Sequence, residues 1–268
     1  MDVQAGPEQH TINPWAAQGR VILAIMLRDV RTRFFGHGLG FLLAIAWPLA
    51  HILILLAIYS AVGRAAPFGD SAALFFATGL APFMTFSYMS RFVMYATLFN
   101  RPLLAFPAVK ITDLLFASAI LEALGACCMV IMLASLLALS GVDVTPNDPV
   151  EAALAFGVAV LLGLGYGFIN GILAMVWPTW STAYTLLTIV MYICAGVLFV
   201  PDALPEQLRA IIMINPAIHL VEWMRSAYYE GYGTLVLNKP YVLFCALSSL
   251  FCGLVIERTF RGPLLAAK

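Results

Sequence analysis

Charge is what this sequence has least of. Only 10% of its 268 residues are charged, and lysine occurs three times, as Lys110, Lys239 and Lys268. An average soluble domain carries about 25% charged residues. With 62% hydrophobic residues and a mean hydropathy of +0.94, this chain cannot clothe a soluble surface. That makes it a polytopic membrane protein. No lysine sits in the Gly-Lys-Ser/Thr context of a phosphate loop, where backbone amides and an ammonium hold the phosphates. A span takes about 20 residues, so six spans use roughly half the chain. No room remains for a nucleotide-hydrolysing domain.

Cysteine is also scarce and lacks CxxC spacing. Cys127, Cys128, Cys194, Cys245 and Cys252 all lie in apolar stretches, which suits small buried hydrophobes rather than disulfides or metal ligands. His10, His37, His51 and His219 are scattered and make no HExxH. His219 and Glu222 share a helical face, but two ligands make a thin metal site. Residues 1–20 hold Asp2, Pro7, Glu8 and Pro14 and no apolar core segment, so no cleavable signal peptide is expected. No catalytic constellation emerges. The chain is expected to be no enzyme, to carry no cofactor or metal, and to bind no nucleic acid.

What is present is a series of apolar runs. From 15 to 35 the pattern is helical. Ile22, Leu23, Met26, Val30 and Phe34 recur at three- and four-residue spacing, and Arg20, Arg28, Arg31 and Arg33 fall opposite. Such a stripe describes a helix lying in the membrane interface; the alternative is a helix packed on a partner. Gly36, Gly38 and Gly40 then permit a change of direction. Spans are expected at 39–62, 72–95, 111–139, 150–176, 182–200 and 241–255. Residues 201–239 hold apolar pieces of roughly ten residues broken by Pro205, Pro216 and Gly231, too short to cross and suited to interfacial or re-entrant helices. The predicted fold is all-α and integral to the membrane. Residues 1–36 form a tail and an interfacial helix, and 37–268 form one six-span domain.

An even number of spans puts both ends of the chain on one side. The N-terminal arginines share that side with Arg101, Lys110, Arg258, Arg261 and Lys268. The other side receives Arg64, Arg209, Arg225 and Lys239 among seven acids, Asp70, Asp143, Asp148, Asp202, Glu206, Glu222 and Glu230. The positive-inside rule makes the first side cytoplasmic.

Ionisable groups within spans are costly and mark pathways or pairs. Arg91 and Asp113 fall near the same end of their spans, so a pair is expected. Glu122 lies near mid-membrane, where a packing hydrogen bond and a pathway role are both open. Gly163, Gly167 and Gly171 lie four apart and form a smooth stripe for close helix approach, or serve to bend the helix. Aromatic residues cluster: Trp47, Phe83, Phe86, Tyr88, Phe92, Tyr95, Trp177, Trp180, Tyr184 and Tyr192. Aromatic rings pack on the apolar faces of sugars, which suits a glycan conduit. An interfacial belt of Trp and Tyr explains many of them equally well.

Specific motifs narrow the reading. Arg28-Asp29-Val30-Arg31-Thr32-Arg33-Phe34, then Gly38-Leu39-Gly40 and Trp47-Pro48, resembles the N-terminal signature of capsular-polysaccharide exporter permeases of the second ABC type. Asn100-Arg101-Pro102-Leu103-Leu104, then Pro107-Ala108-Val109-Lys110 and Asp113, is similar to that family's first cytoplasmic loop. Asn215-Pro216-Ala217-Ile218-His219-Leu220-Val221-Glu222-Trp223-Met224-Arg225, then Tyr228, Tyr229 and Gly231-Tyr232, resembles its segment before the last span.

The resemblance implies a homodimer of permeases in a bacterial inner membrane. It would be bound to two copies of a separate ATPase that carries the ATP and magnesium, and it would work with a polysaccharide co-polymerase. Coupling segments would be Asn100 to Lys110, with Arg101, Leu103, Leu104 and Phe106, and the turn at Trp177 and Pro178. Arg28, Arg31 and Arg33 would attract an acidic glycan or a lipid-anchor phosphate, or simply anchor to anionic lipid. Arg91, Trp47, Phe86, Tyr88, Tyr184 and Tyr192 are candidates for the path. Asn215, His219, Glu222, Arg225 and Tyr228 mark the re-entrant segment. The alternatives are an O-antigen or other glycolipid exporter permease, and, from another class, a membrane-embedded glycan-modifying enzyme.

Overall fold

The structure, a computed structural model, describes residues 13–32, 40–63, 65–177, 179–233 and 235–266. Arg33, Arg64, Pro178, Lys268, His10 and His37 lie outside the described residues. Nine α-helices and no strand occur among the described residues. They are α1 (Pro14–Thr32), α2 (Gly40–Ala61), α3 (Ala72–Phe99), α4 (Ile111–Leu139), α5 (Pro149–Val176), α6 (Trp180–Ile193), α7 (Glu206–Ile212), α8 (Pro216–Tyr228) and α9 (Lys239–Ala266).

Local chemistry starts the helices where the sequence says. Asn13 accepts from the Trp15 amide at the head of α1, and Ser71 accepts from Leu74 at the head of α3. Asp148 accepts from both Val150 and Glu151, with Pro149 at the first position of α5. Each side chain satisfies amides that a helix start leaves without partners.

Four helices, α3, α4, α5 and α9, are long and apolar enough to cross a membrane. The apolar part of α2, Ile45–Ala61, and α6 are shorter. The expected fifth span, 182–200, is corrected: α6 stops at Ile193 and residues 194–199 form turns. The last helix is longer than expected, running on to Ala266.

The core is α3, with 78% of its span buried. It packs on α5 through the glycine stripe. A Cβ on Gly163 would stand 2.7 Å from Met89 Cβ, and one on Gly167 2.6 Å from Val93 Cβ. The stripe is therefore a packing face. Gly165 faces the other way, toward Ser249 and Leu250 of α9, and Gly253 of α9 faces Phe168. Glycine on two faces lets α5 lie between α3 and α9 at backbone distance. Gly167→Leu is expected to lower stability by about 1–3 kcal/mol, the usual effect of overpacking. Gly157→Leu, where a Cβ meets nothing within 4 Å, is the control. Thermal unfolding in detergent checks this, and equal melting of the two variants would contradict the packing role.

The helices alternate in direction. One end of the bundle gathers α1, Asn100 to Lys110, the Trp177 to Trp180 turn and the end of α9. The other gathers the starts of α3, α5 and α9 with α7 and α8.

Candidate functional site: the α1 end and the broken α6

At the α1 end, α3 stops because Pro102 cannot continue it. Asn100 takes the C-cap, its amide bonded to Ala96 O, and a 3₁₀ turn Arg101–Ala105 follows. The buried Asn100 side chain is read from both sides. Arg28 Nη1 donates to its Oδ1, and its Nδ2 donates to Asp29 Oδ2 at 3.1 Å. At the far end of the loop Asp113 accepts the Lys110 amide at 2.8 Å and a hydrogen bond from Gln18. Lys110 Nζ donates to Gln18 Oε1 at 3.2 Å. The expected Arg91–Asp113 pair does not form, because Gln18 and Lys110 already hold that carboxylate.

The loop from Asn100 to Lys110 is thus clamped to α1 at both ends. Between the clamps Leu103 and Leu104 turn inward onto Ile25, Leu114 and Ala117, while Arg101 and Phe106 are exposed. The apolar stripe of α1 packs on this loop and on α4, so α1 does rest on protein, but on its own chain. Leu23 and Leu27 remain exposed on its other side. Arg28, Asp29, Thr32, Phe92, Phe99 and Asn100 line a cavity of about 480 Å³ between α1, α3 and α4. Arg31 is exposed.

The second expected coupling turn is tied inward as well. Trp180 Nε1 donates to Asn170 of α5 at 2.8 Å, and Tyr184 donates to Ser90 of α3 at 2.7 Å. Trp177 stands exposed beside Trp180, ring centroids 6.0 Å apart. Farther from this end, Trp47 is exposed and Tyr88 half-buried. The Arg91 guanidinium lies 5.9 Å from the Tyr88 ring. Glu122 lines a small cavity with Pro48, Thr85 and Tyr88. Phe86 and Tyr184 are enclosed by protein, and Tyr192 packs on Phe83.

Toward the other end, the break after α6 leaves carbonyls that no helix turn can satisfy. Arg225, fully buried on α8, supplies the donors. Its Nη1 donates to Gly196 O at 2.7 Å and Phe199 O at 3.1 Å, and its Nη2 to Val197 O at 2.7 Å. A guanidinium has five N–H donors in a planar fork, and three carbonyls on one turn match it where a lysine would not. Phe75 lies under the guanidinium, 3.8 Å from its carbon. Gly79 makes the room, since a Cβ there would stand 2.7 Å from Nη2. The charge is balanced by Glu222, 3.5 Å away, which also accepts from Tyr232 at 2.9 Å.

The rest of the segment around α8 is bound in the same way. Asn215 caps α8 and donates to Met191 O at 2.9 Å. His219 Nδ1 accepts from the Asn238 amide at 3.1 Å, so Nε2 carries the proton that is donated to Met213 O at 2.9 Å. Glu151 of α5 ties in both Trp223 Nε1 and Lys239 Nζ, the latter at 2.7 Å. Tyr228 stands half-buried at the end of α8.

Against this geometry, residues 20–229 match the ABC-2 type transporter family. The chain belongs to that family. This ABC-2 type chain is 30% identical over 244 residues to the polysialic acid transport protein KpsM of Escherichia coli, covering 91% of this chain and 95% of that one. It is 27% identical over 244 residues to the capsule polysaccharide export inner-membrane protein CtrC of Neisseria meningitidis serogroup A, covering 91% and 92%. An O-antigen export system permease protein of Klebsiella pneumoniae, RfbA, is more distant, at 21% over 222 residues and 83% of each chain.

Several partners of this ABC-2 type chain escape sequence reasoning. Gln18, Gly79, Glu151 and Asn170 carry no motif. Asp29 alone had a signal, as the single acid among the arginines of α1. Among the described residues no group of three or more His, Cys, Asp or Glu is placed to hold a metal ion.

Proposed function

We propose that this chain is the membrane permease of an ATP-driven exporter that carries capsular polysaccharide, on a lipid anchor, across a bacterial inner membrane. The observation that carries the reading is the doubly clamped loop from Asn100 to Lys110. It presents Arg101 and Phe106 outward on a rigid base, as a surface for a separate ATPase requires. The named capsule and polysialic acid relatives, each spanning nine-tenths of both chains, support the cargo class over O-antigen. The six-span topology, with the α1 end cytoplasmic, is part of this proposal. It rests on the positive charge at that end and counts α2 and α6 as the two short spans. So is a dimer, for which the exposed apolar residues of α6, Leu186, Ile189, Val190 and Ile193, are available.

In this reading closure of the ATPase pushes the loop and the Trp177 turn, and packed helices rock between two arrangements. Arg28 and Arg31 receive the acidic cargo or its anchor phosphate at the mouth of the cavity between α1, α3 and α4. Trp47, Tyr88 and Arg91 continue the path, while the enclosed Phe86 and Tyr184 support it. A co-polymerase receives the polysaccharide on the far side. Magnesium and ATP belong to the ATPase.

Arg101→Glu together with Phe106→Ala tests the coupling surface and leaves the Lys110–Gln18 clamp in place. Co-purification with the ATPase is expected to fall about ten-fold, equivalent to roughly 1.4 kcal/mol, with unchanged melting of the permease. Unaltered co-purification would contradict the assignment of the loop. At the level of the cell, deletion is expected to remove surface capsule and leave lipopolysaccharide intact. The reverse result would make the cargo O-antigen. Turnover of a lipid-linked glycan by the purified chain without ATP would point instead to a membrane-embedded enzyme.

A further inference from the structure

An apolar cavity of about 260 Å³ toward the α8 end has no part in the transport reading. Its floor is α3, its walls are α4 and α5, and α8 closes one end. Alanines keep it open: Ala77 and Ala81 on α3, Ala134 on α4, Ala152 and Ala153 on α5. The glycine faces of α5 are spent on α3 and α9, so α4 is not drawn close. Only 22% of the α4 span is buried, and the crevice beside it opens sideways to hydrocarbon.

The cavity has a polar end and an apolar end. Leu74, Leu137 and Ala152 line it from the terminal turns of α3, α4 and α5, which is the level of the membrane interface. From Leu74 to Ala81 it runs roughly 10 Å toward the membrane centre at 1.5 Å per residue. Tyr228 stands at the interfacial end, and its hydroxyl has no hydrogen-bond partner among the described residues. Water is a poor occupant, because a buried water needs two to four polar partners. The one hydroxyl deeper in, on Thr78, is already bonded to Leu74 O and Phe75 O. The neighbouring loop, which contributes Val144 to the lining, carries Asp143 and Asp148 and no cation. That arrangement favours a headgroup with an ammonium over a purely anionic one.

We propose that this cavity binds one acyl chain of a zwitterionic phospholipid from the surrounding leaflet. The tail lies between α4 and α5, and the head meets Tyr228 and the 141–148 loop. The site needs only that α3, α4 and α5 cross a bilayer, so it stands or falls separately from the cargo assignment.

The test is native mass spectrometry of the full chain, purified and delipidated in mild detergent, then offered phosphatidylethanolamine or phosphatidylglycerol. One phosphatidylethanolamine per chain is expected, retained in preference to phosphatidylglycerol. Ala153→Trp fills the cavity from an exposed position, and Ala134→Phe fills it from the opposite wall. Each is expected to lower retention about ten-fold, the effect of losing burial of roughly two methylenes, with melting unchanged. Asp143→Asn, which keeps an acceptor for Thr145 and removes the charge, is expected to keep a lipid and lessen the headgroup preference. Full retention in both filled variants would overturn the site. Equal retention of the two lipids by the unaltered chain would overturn the headgroup assignment. Disulfide cross-linking of Ala153→Cys chains to each other would give the cavity to a second copy and overturn the proposal.

Discussion

Arg225→Met is expected to abolish accumulation of folded protein. The variant matches the unbranched stem of the side chain as far as Nε and removes its donors. Val197 and Phe199 then lose the donor to their carbonyls, Gly196 keeps only the long bond from the Phe199 amide, and Glu222 keeps a buried carboxyl without its counter-charge. Removing one partner of a buried ion pair costs about 3–5 kcal/mol, a large share of the stability of an ordinary domain. Fluorescence-detected size exclusion and thermal unfolding in detergent read the effect. The double variant Arg225→Met with Glu222→Met separates its two sources. If the ion pair alone mattered, the double change would restore stability. Because three carbonyls depend on the guanidinium, no restoration is expected. Gly79→Leu is expected to act like Arg225→Met, since its side chain would occupy the place of Nη2. A stable, well-folded Arg225→Met chain would show that the turn after α6 finds other donors.

Asn100→Leu is expected to separate ATP hydrolysis from export. Asn100 is buried behind the loop and does not face outward, so its role is to position. It joins Arg28 and Asp29 of α1 to the end of α3 through two hydrogen bonds to charged groups. Such bonds contribute about 1.5–3 kcal/mol each. Losing roughly 3 kcal/mol from the docking of α1 lowers the docked fraction by about 100-fold relative to undocked. The expected result is a folded permease that still co-purifies with its ATPase through the second clamp at Lys110 and Asp113, exports less cargo by up to about 100-fold, and is cut by protease within α1. Export at the unaltered level would mean that α1 does not need to be docked. Asn100→Asp offers a contrast. It keeps the acceptor for Arg28 but sets two carboxylates together at Asp29, so it is expected to fall between Leu and the unaltered chain.

How much of this was legible in the sequence differs by element. The long spans α3, α4 and α5 were placed to within a few residues, because their limits are set by local chemistry. Ser71, Lys110 and Asp148 start them, Pro102 and the polar loops stop them, and nothing distant is needed. The glycine stripe on α5 also had a local signature. The fifth span did not. The run from Ile189 to Val200 is uniformly apolar, and apolar content cannot tell a continuing helix from a turn whose carbonyls are met by an arginine on another helix. That donor is 29 residues away from Gly196 along the chain. The Arg91–Asp113 pairing failed for a related reason. Sequence position put both near one end, but Gln18, from a helix that only folding brings there, reached Asp113 first.

Composition and charge placement alone determined that the chain is built mainly of helices apolar enough for a bilayer and that most of its positive charge falls at the α1 end. Those conclusions rest on sums along the chain, which folding does not alter. Which residues meet is a different kind of fact. The clamp of the loop by α1, the arginine that closes the broken α6 and the alanine-walled crevice beside α4 all join residues far apart in sequence. Their energies come from buried hydrogen bonds, paired charges and close packing. Those energies exist only when the partners are brought within a few ångströms, and only the tertiary structure decides that.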